Sequence, residues 1–258
     1  MSRAGRIACF VYGTTCYLLF LATFAYSIGF LGNLLVPKSI DTGTEGSLLM
    51  SIVINLALLS VFAVQHSVMA RPAFKQWWTR IIPQPVERST YVLLTCAALA
   101  LLYWQWQPLT SVVWDLQASA LGPFLTGIYF AGWGLVLYAT LLIDHFDLFG
   151  MRQVVLELRE RKYTHHPFRT PSLYLYMRHP LYLGWFIVFW VTPLMTAGHL
   201  LFAAVASGYI LVAVLFEERD LVAHFGDAYR RYQETTPKFF PLPWRKPAAG
   251  AAAPAQQG

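Results

Sequence analysis

The sequence predicts an all-α integral membrane protein, and three observations carry that reading. Hydrophobic residues make up 57% of the 258 and charged residues only 12%, against the roughly 25% charged composition usual for a soluble domain. Apolar runs long enough to cross a bilayer, about 20 residues each, recur along the chain. The basic residues sit in short segments between those runs, so the net charge of +6 marks one membrane face and not a nucleic-acid partner.

The first run, about 7–32, follows Arg3 and Arg6. It is longer than the apolar core of a secretory signal and lacks a small-residue cleavage site, so it is predicted to be the first membrane helix. Cys9, Cys16 and Cys96 lie inside apolar stretches, where they are expected to pack as small apolar residues and not to build a disulfide framework. Further spans are predicted at about 47–69, 89–107 and 122–143. The last two runs, about 182–197 and 200–217, are separated only by Gly198-His199. They read as a short helical hairpin, or as one long tilted helix that leaves five spans.

Charge distribution favours six. With the N-terminus inside, six spans put every Lys and Arg of the 19 except Lys38 on the inner side, whereas five strand a basic loop or tail on the wrong side. The expected arrangement is therefore a multi-pass protein of the cell (inner) membrane with both termini cytoplasmic. Residues 1–245 read as one membrane-embedded domain whose cytoplasmic loops form a pocket. Residues 246–258, an Ala, Pro, Gln and Gly tail without a burial pattern, read as disordered.

Three polar clusters abut helix ends on the inner face, and ionisable groups at membrane depth usually mark a site. In IDHFDLFG (143–150), His145 reads either as a helix C-terminal cap or as a general base oriented by Asp144 or Asp147, with the flanking acids raising its pKa. In YMRHPLYLGW (176–185), Arg178 and His179 precede Pro180 and a helix start. A guanidinium beside free amides there suits a carboxylate or phosphate, and Gly184 admits a ligand or a neighbouring helix. In EERDLVAHFGDAYRRY (217–232), Glu217 and Glu218 oppose the helix dipole and call for a cationic partner or a ligand, while Phe225, Tyr229 and Tyr232 supply aromatic surface. The spacing matches no zinc pattern, so no metal is expected. No G-x-G-x-x-G motif follows a strand, which excludes a Rossmann-type domain.

The run RHPLYLGW, followed in order by EERDL, Phe225-Gly226, Tyr229, Tyr232 and Pro237, resembles the C-terminal signature of the isoprenylcysteine carboxyl methyltransferase-like membrane enzymes. IDHFDLFGMRQV, QHSVMARPAFKQWW (65–78) and PQPVERSTYVLL (83–94) look most like the methanethiol S-methyltransferase branch, close to the NnrU-type proteins. The resemblance covers nearly all of residues 7–241. It implies transfer of a methyl group from S-adenosylmethionine, taken from the cytoplasm, to methanethiol, giving dimethyl sulfide. It also implies that Arg178, His179, Tyr182, Glu217, Glu218 and Tyr229 line the cofactor site, to which Gly184 is added because it leaves the backbone open to close approach. The acceptor site, with His145 and Asp144 as its acid–base pair, rests on chemistry alone, because a thiol needs a base to become the nucleophilic thiolate. Rival readings are a methyltransferase for an isoprenylcysteine or lipid acceptor, a membrane reductase using a nicotinamide cofactor, and a non-enzymatic transport or assembly factor.

Overall fold

The structure is a computed structural model that describes residues 1–164 and 166–241. The expected Ala/Pro tail lies outside these residues. Helix α1 (Arg3–Gly32) starts where Ser2 accepts from the Gly5 amide and stops at Asn33, whose left-handed φ of 54° breaks the helical path. Helix α2 (Leu48–Ala70) ends at Arg71, the residue before Pro72, where the proline ring disfavours helical backbone. A short helix α3 (Pro72–Trp78) and a turn at Gln84–Val86 lead into α4 (Glu87–Gln105).

Strand β1 (Val112–Asp115) precedes α5 (Leu121–Ile143), which gives way to the short helices α6 (His145–Leu148) and α7 (Met151–Leu158). Helix α8 (Pro180–Trp190), strand β2 (Leu194–Thr196), α9 (Ala197–Phe225) and α10 (Asp227–Thr235) complete the fold. The all-α membrane class holds: α1, α2, α4, α5 and α9 are each long and apolar enough to cross a membrane.

The final hairpin differs from expectation in where it turns. Helix α8 has only 11 residues, about 16 Å at 1.5 Å per residue. The chain then leaves the helix through Thr192 and bends at Pro193 into β2, because proline supplies no amide donor and disfavours helix at the residue before it. Strand β2 pairs antiparallel with β1, which lies in the connection between α4 and α5. Gly198-His199, read as the turn, instead lies in the first turn of α9, where Thr196 accepts from the His199 amide. Non-helical backbone continues the path that α8 does not: the chain leaves the helix at Val191, bends at Pro193 and is extended from Leu194 to Thr196. The last helix also runs on to Phe225, carrying Glu217 and Glu218 inside it.

Because Arg178, just before α8, meets Glu218 of α9 while Thr196 pairs with Val112, α8 and α9 each run between the same two ends of the bundle. From Ala197 to Glu218 α9 rises about 31 Å, the thickness of a bilayer core. The segment from Pro180 to Thr196 thus runs beside α9 from one end of the bundle to the other.

Association of helices in lipid depends on close packing and internal hydrogen bonds, not on apolar transfer from water. Helices α5 and α8 show this. A Cβ on Gly184 would lie 2.8 Å from Val136 Cγ2, 3.0 Å from the Val136 nitrogen and 3.1 Å from the Gly132 oxygen. One on Gly132 would meet Ile187 Cγ2 at 2.7 Å. Elsewhere Asn55 of α2 bonds both the amide and the carbonyl of Gln107, just past α4, and Ser27 of α1 and Tyr103 of α4 share a 2.6 Å hydrogen bond.

Candidate functional site

The end of the bundle that carries the basic loops is organised around Glu218, which α9 holds buried. One carboxylate oxygen accepts from Arg178 Nε at 2.8 Å and lies 3.0 Å from His179 Nε2. The other accepts from Gln233 Nε2 at 3.2 Å and lies 3.6 Å from Lys238 Nζ. Arg178 also donates from Nη1 to the carbonyls of Gln233 and Thr236. The amides of Arg178 and His179 donate to the carbonyls of Pro237 and Lys238.

The predicted cationic partner of Glu218 is therefore Arg178. The amides expected to stand free ahead of α8 are instead capped by the C-terminal segment, which this network pins across the entry to α8. Arg219, one position on from Glu218, carries its guanidinium 5.8 Å from the centre of the Phe216 ring. It borders a groove of about 400 Å³ with Leu215, Glu218, Val222 and Gln233, between α9 and α10.

At the position before Glu218, Glu217 Oε2 accepts a 2.6 Å hydrogen bond from Tyr182 of α8. Tyr229 is buried against Phe168 and Tyr232. Burial first, and then the Glu218 and Glu217 charges, push its phenol pKa up. Six of the residues assigned to cofactor binding thus gather at one end. Gly184, the seventh, faces α5: the neighbour it admits is the backbone of Gly132 and Val136.

His145 is buried where α5 passes into α6. Asp144 does not orient it. That carboxylate accepts from the Asp147 amide at 3.0 Å and contacts His166 Nε2 at 2.8 Å, while Asp147 pairs with Arg152. The groups that hold His145 are Thr140, 2.9 Å from Nδ1, and Tyr17 of α1, 2.9 Å from Nε2. Thr140 spends its hydroxyl proton on the Leu137 carbonyl, so it accepts from Nδ1–H, and Nε2 is left to accept from Tyr17. The expectation that flanking acids raise the His145 pKa is also corrected: burial lowers it, outweighing the opposing charge of Asp144.

A second constellation, absent from the sequence reading, lies between these two. His66 of α2 has the Tyr91 hydroxyl of α4 at 2.9 Å from Nε2 and 3.0 Å from Nδ1, with Thr95 Oγ1 3.4 Å from Nδ1, and it stacks on Phe62. Ser67 contacts the Tyr209 hydroxyl of α9 at 3.1 Å. On its other side Tyr91 belongs to an apolar cluster with Met69, Val92 and Cys96, against which Phe20 and Phe149 pack. Phe20 and Phe149 stack on one another at 3.7 Å and also touch the His145 ring. The signal that would have found this group was His66 itself, an ionisable side chain inside a predicted span.

No family model matches the chain, and no solved structure matches it. The chain is 50% identical over 240 residues to the methanethiol S-methyltransferase of Mycobacterium tuberculosis, covering 93% of this chain and 98% of that one. It is 48% identical over 245 residues to the methanethiol S-methyltransferase of Crocosphaera subtropica, covering 95% and 96%. It is also 33% identical to nurim of Mus musculus over 186 residues, covering 69% and 70%.

Proposed function

This chain belongs to the methanethiol S-methyltransferase family, and from that premise we propose that it transfers a methyl group from S-adenosylmethionine to methanethiol at the cytoplasmic side of the cell membrane. Near-full-length likeness to enzymes named for this reaction is the observation that carries the reading. The basic residues collected at one end of the bundle support a cytoplasmic placement of both termini.

The residues present suit the methyl donor. A groove of about 400 Å³ is within the range of small-molecule sites. Arg219 at its border offers donors for a carboxylate, Glu217 offers an acceptor for an ammonium or a ribose hydroxyl and Tyr182 aromatic surface, while Glu218, engaged by Arg178, His179, Gln233 and Lys238, and the buried Tyr229 support the site from behind. S-adenosylmethionine supplies an electrophilic methyl on a positive sulfur. Glu217, fixed by Tyr182, favours positive charge nearby. Arg178 and His179 act at one remove, by holding Glu218 and the C-terminal segment in place.

On the acceptor side the thiol must lose its proton. His145 is the base of this reading: its Nε2 lone pair is directed at Tyr17, so a thiol proton reaches it by exchange with that hydroxyl or by displacing it. Asp144 contributes by holding His166 and the start of α6, not by touching the imidazole. Membranes containing the protein, given methanethiol and S-adenosylmethionine, are expected to release dimethyl sulfide into the headspace. Release no greater than from membranes without the protein overturns the assignment.

A further inference from the structure

Four of the five residues that line the groove, Leu215, Glu218, Arg219 and Val222, stand on α9, and the fifth, Gln233, is carried by α10. The groove therefore has both its walls only while α10 lies against α9. The joint between the two helices is Gly226, at φ 58° and ψ −133°, a backbone conformation that glycine adopts without steric cost. A Cβ there would meet nothing within 4 Å among the described residues, so packing does not clamp the joint.

What holds α10 and the residues after it is a line of contacts to α8 and to the residues just before it. Tyr232 donates to the Tyr174 carbonyl, Arg178 Nη1 to the carbonyls of Gln233 and Thr236, and the Arg178 and His179 amides to those of Pro237 and Lys238. Phe239 closes the line, edge-on to Phe186 at 5.4 Å and 6.0 Å from the His179 ring. Two contacts join this line to the groove: Gln233 Nε2 and Lys238 Nζ both meet Glu218 Oε2, at 3.2 and 3.6 Å. Seating the C-terminal segment and completing the groove are thus one event. The seat is not fully satisfied, because Thr236 is buried while its hydroxyl finds no hydrogen-bond partner among the described residues. An unpaired buried hydroxyl opposes docking in part.

Resting on the methyl-transfer reading above, we propose that α10 and residues 236–239 are a hinged strap: they swing about Gly226 to let S-adenosylmethionine in and the demethylated thioether out, and they dock to close the groove. A ligand that binds only the docked form shifts the strap toward docking, and by reciprocity the contacts that dock the strap hold the ligand. Phe239 is not among the residues that line the groove, so its effect on the ligand has to travel through docking.

The test is hydrogen exchange on the full-length protein in detergent, with S-adenosylmethionine present and no thiol. The Arg178 and His179 amides are freed when the strap lifts, so they report its opening. S-adenosylmethionine at about a hundred times its dissociation constant is expected to slow their exchange about a hundredfold, while amides in the middle of α5 change less than about threefold. Phe239→Ala removes the last anchor, and release of labelled S-adenosylmethionine is expected to quicken about tenfold. Saturable binding that leaves the exchange of the two amides unaltered overturns the strap. So does equal slowing in α5, which would mean that the ligand steadies the whole bundle, and so does a wild-type release rate in Phe239→Ala. Failure of the parent reading looks different: wild-type protein then binds no S-adenosylmethionine, and the strap falls with it.

Discussion

Replacing Glu218 with Gln keeps its volume and one acceptor oxygen but removes the charge that neutralises Arg178. Both side chains are under a tenth exposed, at 9% and 8%, so the pair sits where solvent does not screen it. Breaking a buried pair costs about 3–5 kcal/mol. Arg178 keeps the carbonyls of Gln233 and Thr236, which places the cost near the lower end, about 3 kcal/mol. At about 1.4 kcal/mol per tenfold, the ratio of docked to released C-terminal segment falls about a hundredfold.

Hydrogen exchange reads this directly. The Arg178 and His179 amides donate to Pro237 and Lys238, so they exchange when the segment lifts. In Glu218→Gln their exchange is expected to be about a hundredfold faster, with amides in the middle of α5 unaffected. Exchange within about threefold of wild type would refute the idea that Glu218 pins this segment.

Four other outcomes follow from the geometry. Gly132→Ala collides only with side chains of α8, so a second change of Ile187→Ala is expected to restore much of the roughly 1–3 kcal/mol lost, as measured by unfolding in detergent. Gly184→Ala meets backbone at Val136 and Gly132, and Val136→Ala is expected to restore little of it. His145→Gln is expected to lower turnover while leaving binding of S-adenosylmethionine intact; unchanged turnover would remove His145 from the reaction. Finally, because burial lowers the His145 pKa, the unfolded chain binds a proton below about pH 6.5 that the folded chain resists. Stability should therefore decline as pH falls through and below that value, and the decline should be shallower in His145→Gln.

Much of this was legible in the sequence because a membrane span is a composition signal. Four of the five long helices begin and end within four residues of the apolar runs, and α9 runs on eight residues past its run, to Phe225. The α8–α9 hairpin was misplaced because hydropathy cannot separate helix from an apolar non-helical segment, and Val191 to Thr196 is one. Among the site residues, motif order brought Arg178, His179, Tyr182, Glu217, Glu218 and Tyr229 to one end. Which of them face a ligand was not legible: Arg178 spends its donors on Glu218 and carbonyls, a choice made by residues 233–238 and invisible from its own neighbours. Asp144 beside His145 suggested a pair, yet adjacent residues at a helix end point in different directions, and the partners come from Thr140 one turn back and Tyr17 on another helix. The His66–Tyr91 contact joins residues 25 apart on different helices, with no local pattern to announce it.

The most direct measurement follows the methyl group itself. Proteoliposomes holding the purified protein are supplied with methanethiol and with S-adenosylmethionine whose transferable methyl is fully deuterated, and the headspace is analysed by mass. The account predicts dimethyl sulfide carrying one deuterated and one ordinary methyl. Unlabelled dimethyl sulfide, or none above protein-free vesicles, would contradict it.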